Sequence, residues 1–138
     1  MKYNLIQIIN AFSTFYSLHE ININLLHENI KELTNYEQYK EILKDYSFDE
    51  NGFSSQLSIE INNSLFSDDI MLTSDNFIYF KLNNFKRDLI FKNVDNKKLY
   101  LAFMDDFINL NVKKSNEGKH DKSRTKVNIK SKNNKKRY

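Results

Sequence analysis

The chain has 138 residues, with 21 Lys or Arg against 18 Asp or Glu and a formal charge of +3. That length predicts a single domain, and 40% hydrophobic residues, including 11 Phe and 8 Tyr, supply material for a core. Cysteine is absent, which excludes disulfides, thiolate zinc sites and cysteine nucleophiles, and no run reaches the roughly 18 apolar residues of a membrane helix. Near the start, Leu5-Ile6 and Ile8-Ile9 follow Lys2, but Gln7 and Asn10 interrupt them. A secretory signal is therefore not expected, and the reading is cytoplasmic.

Charge divides the chain. Residues 1–80 carry 4 Lys and 12 Asp or Glu, a net of −8, while 81–138 carry 17 Lys or Arg and 6 Asp or Glu, a net of +11. Residues 112–138 alone hold 11 basic and 2 acidic side chains, with only Val112, Val127, Ile129 and Tyr138 as apolar side chains. Such a segment buries too little surface to offset its ordering entropy, so it is expected to be a solvated, self-repelling, disordered basic tail. Asn, Lys and Ile share A/T-rich codons, so part of the lysine content can follow from gene composition.

Taken in order, the first element is a helix. Leu5, Ile8, Ile9, Phe12, Phe15 and Tyr16 recur at three- and four-residue intervals. Ile23, Leu26, Ile30 and Leu33 continue that spacing, with a break predicted near 20–24, where Asn22 and Asn24 are weak helix formers. A third helix is predicted over 35–46, because Thr34 and Glu37 have capping-box spacing and Tyr36, Tyr39, Leu43 and Tyr46 line one side. Asn51-Gly52 is a turn signal. Leu57, Ile59 and Ile61 alternate with polar residues as in a strand, while Leu57, Ile61 and Leu65 keep helical spacing, so this window reads either way. Ile70–Thr73, Phe77–Leu82 and Leu89–Val94 are predicted strands, separated by Ser74-Asp75-Asn76 and by Asn83-Asn84. A last helix is predicted over 96–110, with Asp95 as cap and Tyr100, Phe103, Met104, Phe107 and Ile108 as its stripe. The expected fold is α+β: N-terminal helices, a three- or four-stranded antiparallel β-meander and a C-terminal helix within residues 1–111, then the tail at 112–138.

No catalytic or metal motif emerges. His19 and His27 lie ~12 Å apart along a helix axis at 1.5 Å per residue, too far to share an ion. Asp68-Asp69 and Asp105-Asp106 are sequence neighbours that point to different faces, so adjacency makes no carboxylate dyad. Ser54 and Ser55 lack a nucleophile-elbow context, and Gly52 and Gly118 belong to no phosphate loop. A non-enzymatic protein without metal or cofactor is expected.

Chemistry instead gathers in the cations. Lys113, Lys114, Lys119, Lys122, Arg124, Lys126, Lys130, Lys132, Lys135, Lys136 and Arg137 suit phosphate neutralisation. Only two of them are Arg, which argues against bidentate base readout by this segment. A secondary basic patch comprises Lys81, Lys86, Arg87 and Lys92, with Lys97 and Lys98 close by, opposed by Asp88 and Asp95. Phe77, Tyr79 and Lys81 share one face of their strand; exposed, that face would resemble a base-stacking platform, but burial by helices on both faces is the stronger expectation. Glu20, Glu28, Glu32, Glu37, Glu41, Asp45, Asp49 and Glu50 form an acidic region that serves as a solvated face or docks a basic partner.

The expected function is an accessory or regulatory protein contacting nucleic acid, nonspecifically, through the basic tail, with a protein partner for the domain. The alternative is a small inhibitor of antitoxin, immunity or defence-inhibitor type acting through its acidic folded domain. A winged-helix reading requires a helix at 54–66 followed by a hairpin at 69–82; against it, that helix contains Glu60 and no Lys or Arg.

Overall fold

The computed structural model describes residues 2–123. It divides into one unit ending at Ile108 and a second starting at Asn109.

Helix α1 (Leu5–Ser13) starts from a complete capping box. The Asn4 side chain accepts from the Gln7 N–H at 2.8 Å and the Gln7 side chain accepts from the Asn4 N–H at 2.9 Å. Leu5, Ile6, Ile8, Ile9, Ala11 and Phe12 are all buried. Of its nine residues only Gln7 is not buried, and α1 packs against both α3 (Ser55–Phe66) and α4 (Asn84–Asn93). A 3-10 turn (Thr14–Tyr16) follows and ends at Ser17, whose φ is +55°.

The break predicted near 20–24 is a strand, β1 (Glu20–Asn22). Asn22 then caps α2 (Ile23–Leu33), its Oδ1 accepting from the Asn24 and Leu25 N–H groups. After α3 come β2 (Ile70–Leu72) and β3 (Phe77–Phe80), joined by a tight turn with Asn76 at φ +66°. The sheet is antiparallel and three-stranded in the order β1-β3-β2, with Ile21 opposite Ile78 and Ile78 opposite Leu72. Helix α5 runs from Lys97 to Ser123, and its Phe103, Met104 and Phe107 are buried.

The α+β class and the antiparallel three-stranded sheet agree with expectation; the membership of the sheet differs. Residues 55–66 form a helix, not a strand. Leu89–Val94 falls on α4, because Asn83 is not a turn residue but the N-cap, its Oδ1 accepting from the Lys86 N–H at 2.8 Å. A short apolar run does not distinguish strand from helix, and the cap decides. The vacant strand place is taken by β1, so the sheet is a β2–β3 hairpin joined by a distant strand and not a sequential meander. The predicted helix over 35–46 reduces to a 3-10 turn (Glu37–Tyr39) and further turns. Thr34 donates its hydroxyl hydrogen bond to Lys31 O and ends α2 instead of starting a helix. Tyr39 and Leu43 are nevertheless buried, as their spacing implied. Helix α5 continues through 112–123, where the tail was expected to begin, and 124–138 lie outside the described residues. Adjacent Asp105 and Asp106 serve different tyrosines. Burial and then Asp105 push the Tyr16 hydroxyl up to about 12, while the Tyr39 hydroxyl donates to Asp106.

Because Phe12 is fully buried and Phe85 is 76% exposed, the two should respond oppositely to truncation. Phe12→Ala is expected to cost about 3–5 kcal/mol, and Phe85→Ser to stay within about 0.5 kcal/mol, in urea unfolding. Equal losses would contradict this packing.

Candidate nucleic-acid interface

The site is built on α3. Its N-cap, Ser54, is fully buried, and the Ser54 hydroxyl accepts from the Leu57 N–H at 3.3 Å. The backbone N–H of Ser54 donates to Nδ1 of His27 on α2 at 3.1 Å. That bond requires an unprotonated Nδ1, and burial lowers the His27 pKa, against a smaller upward pull from Asp49. The chain arrives through a turn closed by Asp49. Its carboxylate accepts from the Phe53 and Asn51 N–H groups, which hold it below the usual carboxylate range. Gly52, at φ +86°, supplies the left-handed residue this turn needs. Helices α2 and α3 are thus locked together at one point by a histidine and a cap.

The inward face of α3 carries Leu57, Glu60, Ile61 and Ser64. Glu60 is 3% exposed. Its Oε1 accepts from the Ile6 N–H in the first turn of α1 at 3.3 Å, and its Oε2 accepts from the Tyr46 hydroxyl at 2.6 Å and from Gln56 Nε2 at 3.0 Å. A carboxylate at a helix N-terminus is stabilised by the exposed amide dipoles. Burial, and then the Glu60 carboxylate, raise the Tyr46 pKa, so this phenol stays protonated and donating.

The outward face holds Ser55, Gln56, Ile59, Asn62, Asn63 and Phe66, with Ile59 53% and Phe66 94% exposed. These positions recur at three- and four-residue steps, so they form one stripe. The stripe bears no charge. Among the described residues, no side-chain hydrogen bond engages Asn62 or Asn63.

The predicted cations distribute differently. Lys81 pairs with Asp68 at 3.0 Å, Lys86 with Asp69 at 2.9 Å and Arg87 with Asp88 at 3.7 Å. The secondary patch is therefore largely neutralised in place; Lys92 sits in the last turn of α4, where a cation suits the helix dipole. Lys113 and Lys114 lie on α5, Lys119 and Lys122 belong to the same helix, and Arg124, Lys126, Lys130, Lys132, Lys135, Lys136 and Arg137 lie outside the described residues. The sheet is not covered on both faces, since Tyr79 is 39% exposed. Its cross-strand neighbours are Glu20 and Met71, and a hydrogen bond from Tyr79 to Glu20 raises the phenol pKa. An acid in that position counts against a platform for stacking bases.

Sequence reasoning missed the α3 stripe because Leu57, Ile59 and Ile61 imitate strand alternation. The signal that identifies it is Ser54 as a cap three residues before Leu57, with Leu57 and Ile61 at helical spacing. Among the described residues no three His, Asp or Glu side chains gather as a metal site, and no helix is long and apolar enough to cross a membrane. No family model, curated protein or solved structure matches the chain.

The His27 bond makes stability depend on pH. An unfolded His titrates near 6.5, and the folded value is lower. Stability is therefore full above that pH and falls as pH drops towards the folded value, while the unfolded chain gains a proton that the native state resists. The melting midpoint should decline between neutral and mildly acidic pH more steeply for the parent protein than for His27→Gln. Parallel slopes would remove this role.

Proposed function

We propose that this is a non-enzymatic accessory or regulatory protein that contacts nucleic acid, with a winged-helix body and a basic C-terminal part that neutralises phosphates. The observation that carries the reading is the order of elements around α3. Helix, strand, helix, helix, strand, strand, with the first strand beside the third, is the arrangement of a winged helix, in which the last helix before the hairpin enters the major groove. Likeness of architecture alone assigns no function; the chemistry of the exposed stripe adds the second support. Glu60, the residue that counted against this fold, faces inward and leaves a surface of amide, hydroxyl and apolar groups. The connection between α2 and α3 is longer than the three- to four-residue turn of the compact motif, and it is anchored by the buried Tyr39 and Leu43.

The charges complete the argument. Residues 1–108 carry 10 basic and 16 acidic side chains, a net of −6, while 109–138 carry 11 and 2, a net of +9. An acidic body does not attract a polyanion by itself, so affinity falls to the basic segment, through counterion release. Phe85, exposed on α4, favours a second reading in which the folded body binds another protein. Phe85→Ser should then release a copurifying protein and leave retention of DNA unchanged.

For the first reading, affinity for duplex DNA should fall steeply with salt in a logarithmic plot. Replacing Lys126, Lys130, Lys132, Lys135 and Lys136 by Gln should flatten that slope by several units, at about 0.9 per phosphate contact. If the full chain at low salt retains neither DNA nor RNA, this function is wrong.

A further inference from the structure

The geometry points to a base preference: α3 reads adenine–thymine pairs in the major groove of duplex DNA, so the protein favours A·T-rich over G·C-rich duplexes. This rests on the nucleic-acid reading above and specifies its substrate.

The argument begins with what α3 lacks. Guanine is recognised in the major groove mainly by Arg or Lys reaching O6 and N7. Helix α3 contains neither, and its one charged residue, Glu60, is turned inward and hydrogen-bonded. What the exposed stripe does contain suits adenine and thymine. The amides of Asn62 and Asn63 each present a donor and an acceptor, the pair that matches adenine N7 and N6. Gln56 is a poorer reader, because its Nε2 is already committed to Glu60. Ile59 and Phe66 are the large apolar groups on the same stripe, and apolar side chains pack against the thymine methyl group.

Dimensions and charge agree with this occupant. Twelve helical residues span ~18 Å at 1.5 Å per residue, and a major groove about 12 Å wide admits one helix. The deep, narrow major groove of an RNA duplex does not. A neutral stripe carries no phosphate-binding charge of its own, and the net +9 of residues 109–138 supplies what it lacks.

Lysines drawn into the narrow minor groove of A-tracts would also favour A·T-rich DNA, so the test must separate the two grooves. Fluorescence anisotropy would compare the full-length protein on A·T-rich and G·C-rich duplexes of equal length at one salt concentration. It would then use the A·T-rich duplex with 7-deazaadenine in place of adenine. That base loses the major-groove N7 acceptor and keeps the minor-groove edge. The expected results are about tenfold tighter binding to the A·T-rich duplex, loss of most of that margin with 7-deazaadenine, and near-equal affinities for the doubly substituted Asn62→Ala, Asn63→Ala protein. Both positions are exposed on a capped helix, and circular dichroism would verify that this variant folds. Equal affinity of the parent protein for the two duplexes would overturn the inference while leaving nucleic-acid binding intact. So would a preference that survives 7-deazaadenine or the double substitution, or tighter binding to duplex RNA. Failure to bind any duplex at low salt would overturn the functional reading itself.

Discussion

Glu60 carries the only charge on α3, and its carboxylate accepts hydrogen bonds from two other parts of the folded body, the first turn of α1 and Tyr46, and from Gln56 one turn earlier on α3. A buried carboxylate is tolerated only when its oxygens are so occupied. Turning α3 about its axis to expose Glu60 would strand the Ile6 N–H and the Tyr46 hydroxyl, and it would lift Leu57 and Ile61 out of the core. The rotational setting of α3 is therefore fixed by polar satisfaction as much as by apolar packing. The neutrality of the outward stripe is a consequence, since the residue that would have charged it is consumed inside. A groove of about 820 Å³ borders this cluster, lined in part by Tyr46, Glu60 and Tyr100. The carboxylate facing it has its hydrogen-bonding capacity committed to the fold, which gives it a structural role.

Charge is then segregated by sequence. In the body, Lys81, Lys86 and Arg87 spend their charge on neighbouring aspartates, and such exposed pairs contribute little stability. They place an aspartate beside three of the four cations of the secondary patch. By composition, the basic excess of the chain lies after Ile108. At physiological ionic strength, fields between exposed charges fade within ~8 Å. On the acidic body, the outward face of α3 is a neutral surface.

The apolar spacing in the sequence located α1, α2, the β2–β3 hairpin and the core stripe of α5, because each element repeats its own period over enough residues. It misplaced 35–46 and 89–94 for opposite reasons. Thr34 and Glu37 have the spacing of a cap, but the Thr34 hydroxyl is drawn back to Lys31 O. Leu89-Ile90-Phe91 has the look of a buried strand, but Asn83 starts a helix ahead of it. Strand β1 was invisible: three residues, Glu20–Asn22, carry no period of their own and become a strand only through pairing with Phe77–Tyr79. The site was hidden by the same ambiguity, since the α3 stripe exists only if 55–66 is read as a helix.

Asparagine gives that stripe its meaning. The chain has no proline and two glycines, so other residues must supply its caps and left-handed turns. Asn4, Asn22 and Asn83 cap helices, Asn76 and Asn96 adopt positive φ, and Asn10 donates to Asp69 O from within the core. Short amide side chains suit these tasks because they replace a backbone partner or tolerate the left-handed region. Gene composition can raise the supply of asparagine, but it does not choose these positions. Asn62 and Asn63, like Asn29 on α2 and Asn109 on α5, sit in mid-helix, where asparagine is a poor helix former and where none of them caps or turns the chain. Asn62 and Asn63 are both exposed, and no side-chain hydrogen bond among the described residues engages them, which leaves their amides available to the proposed base contacts.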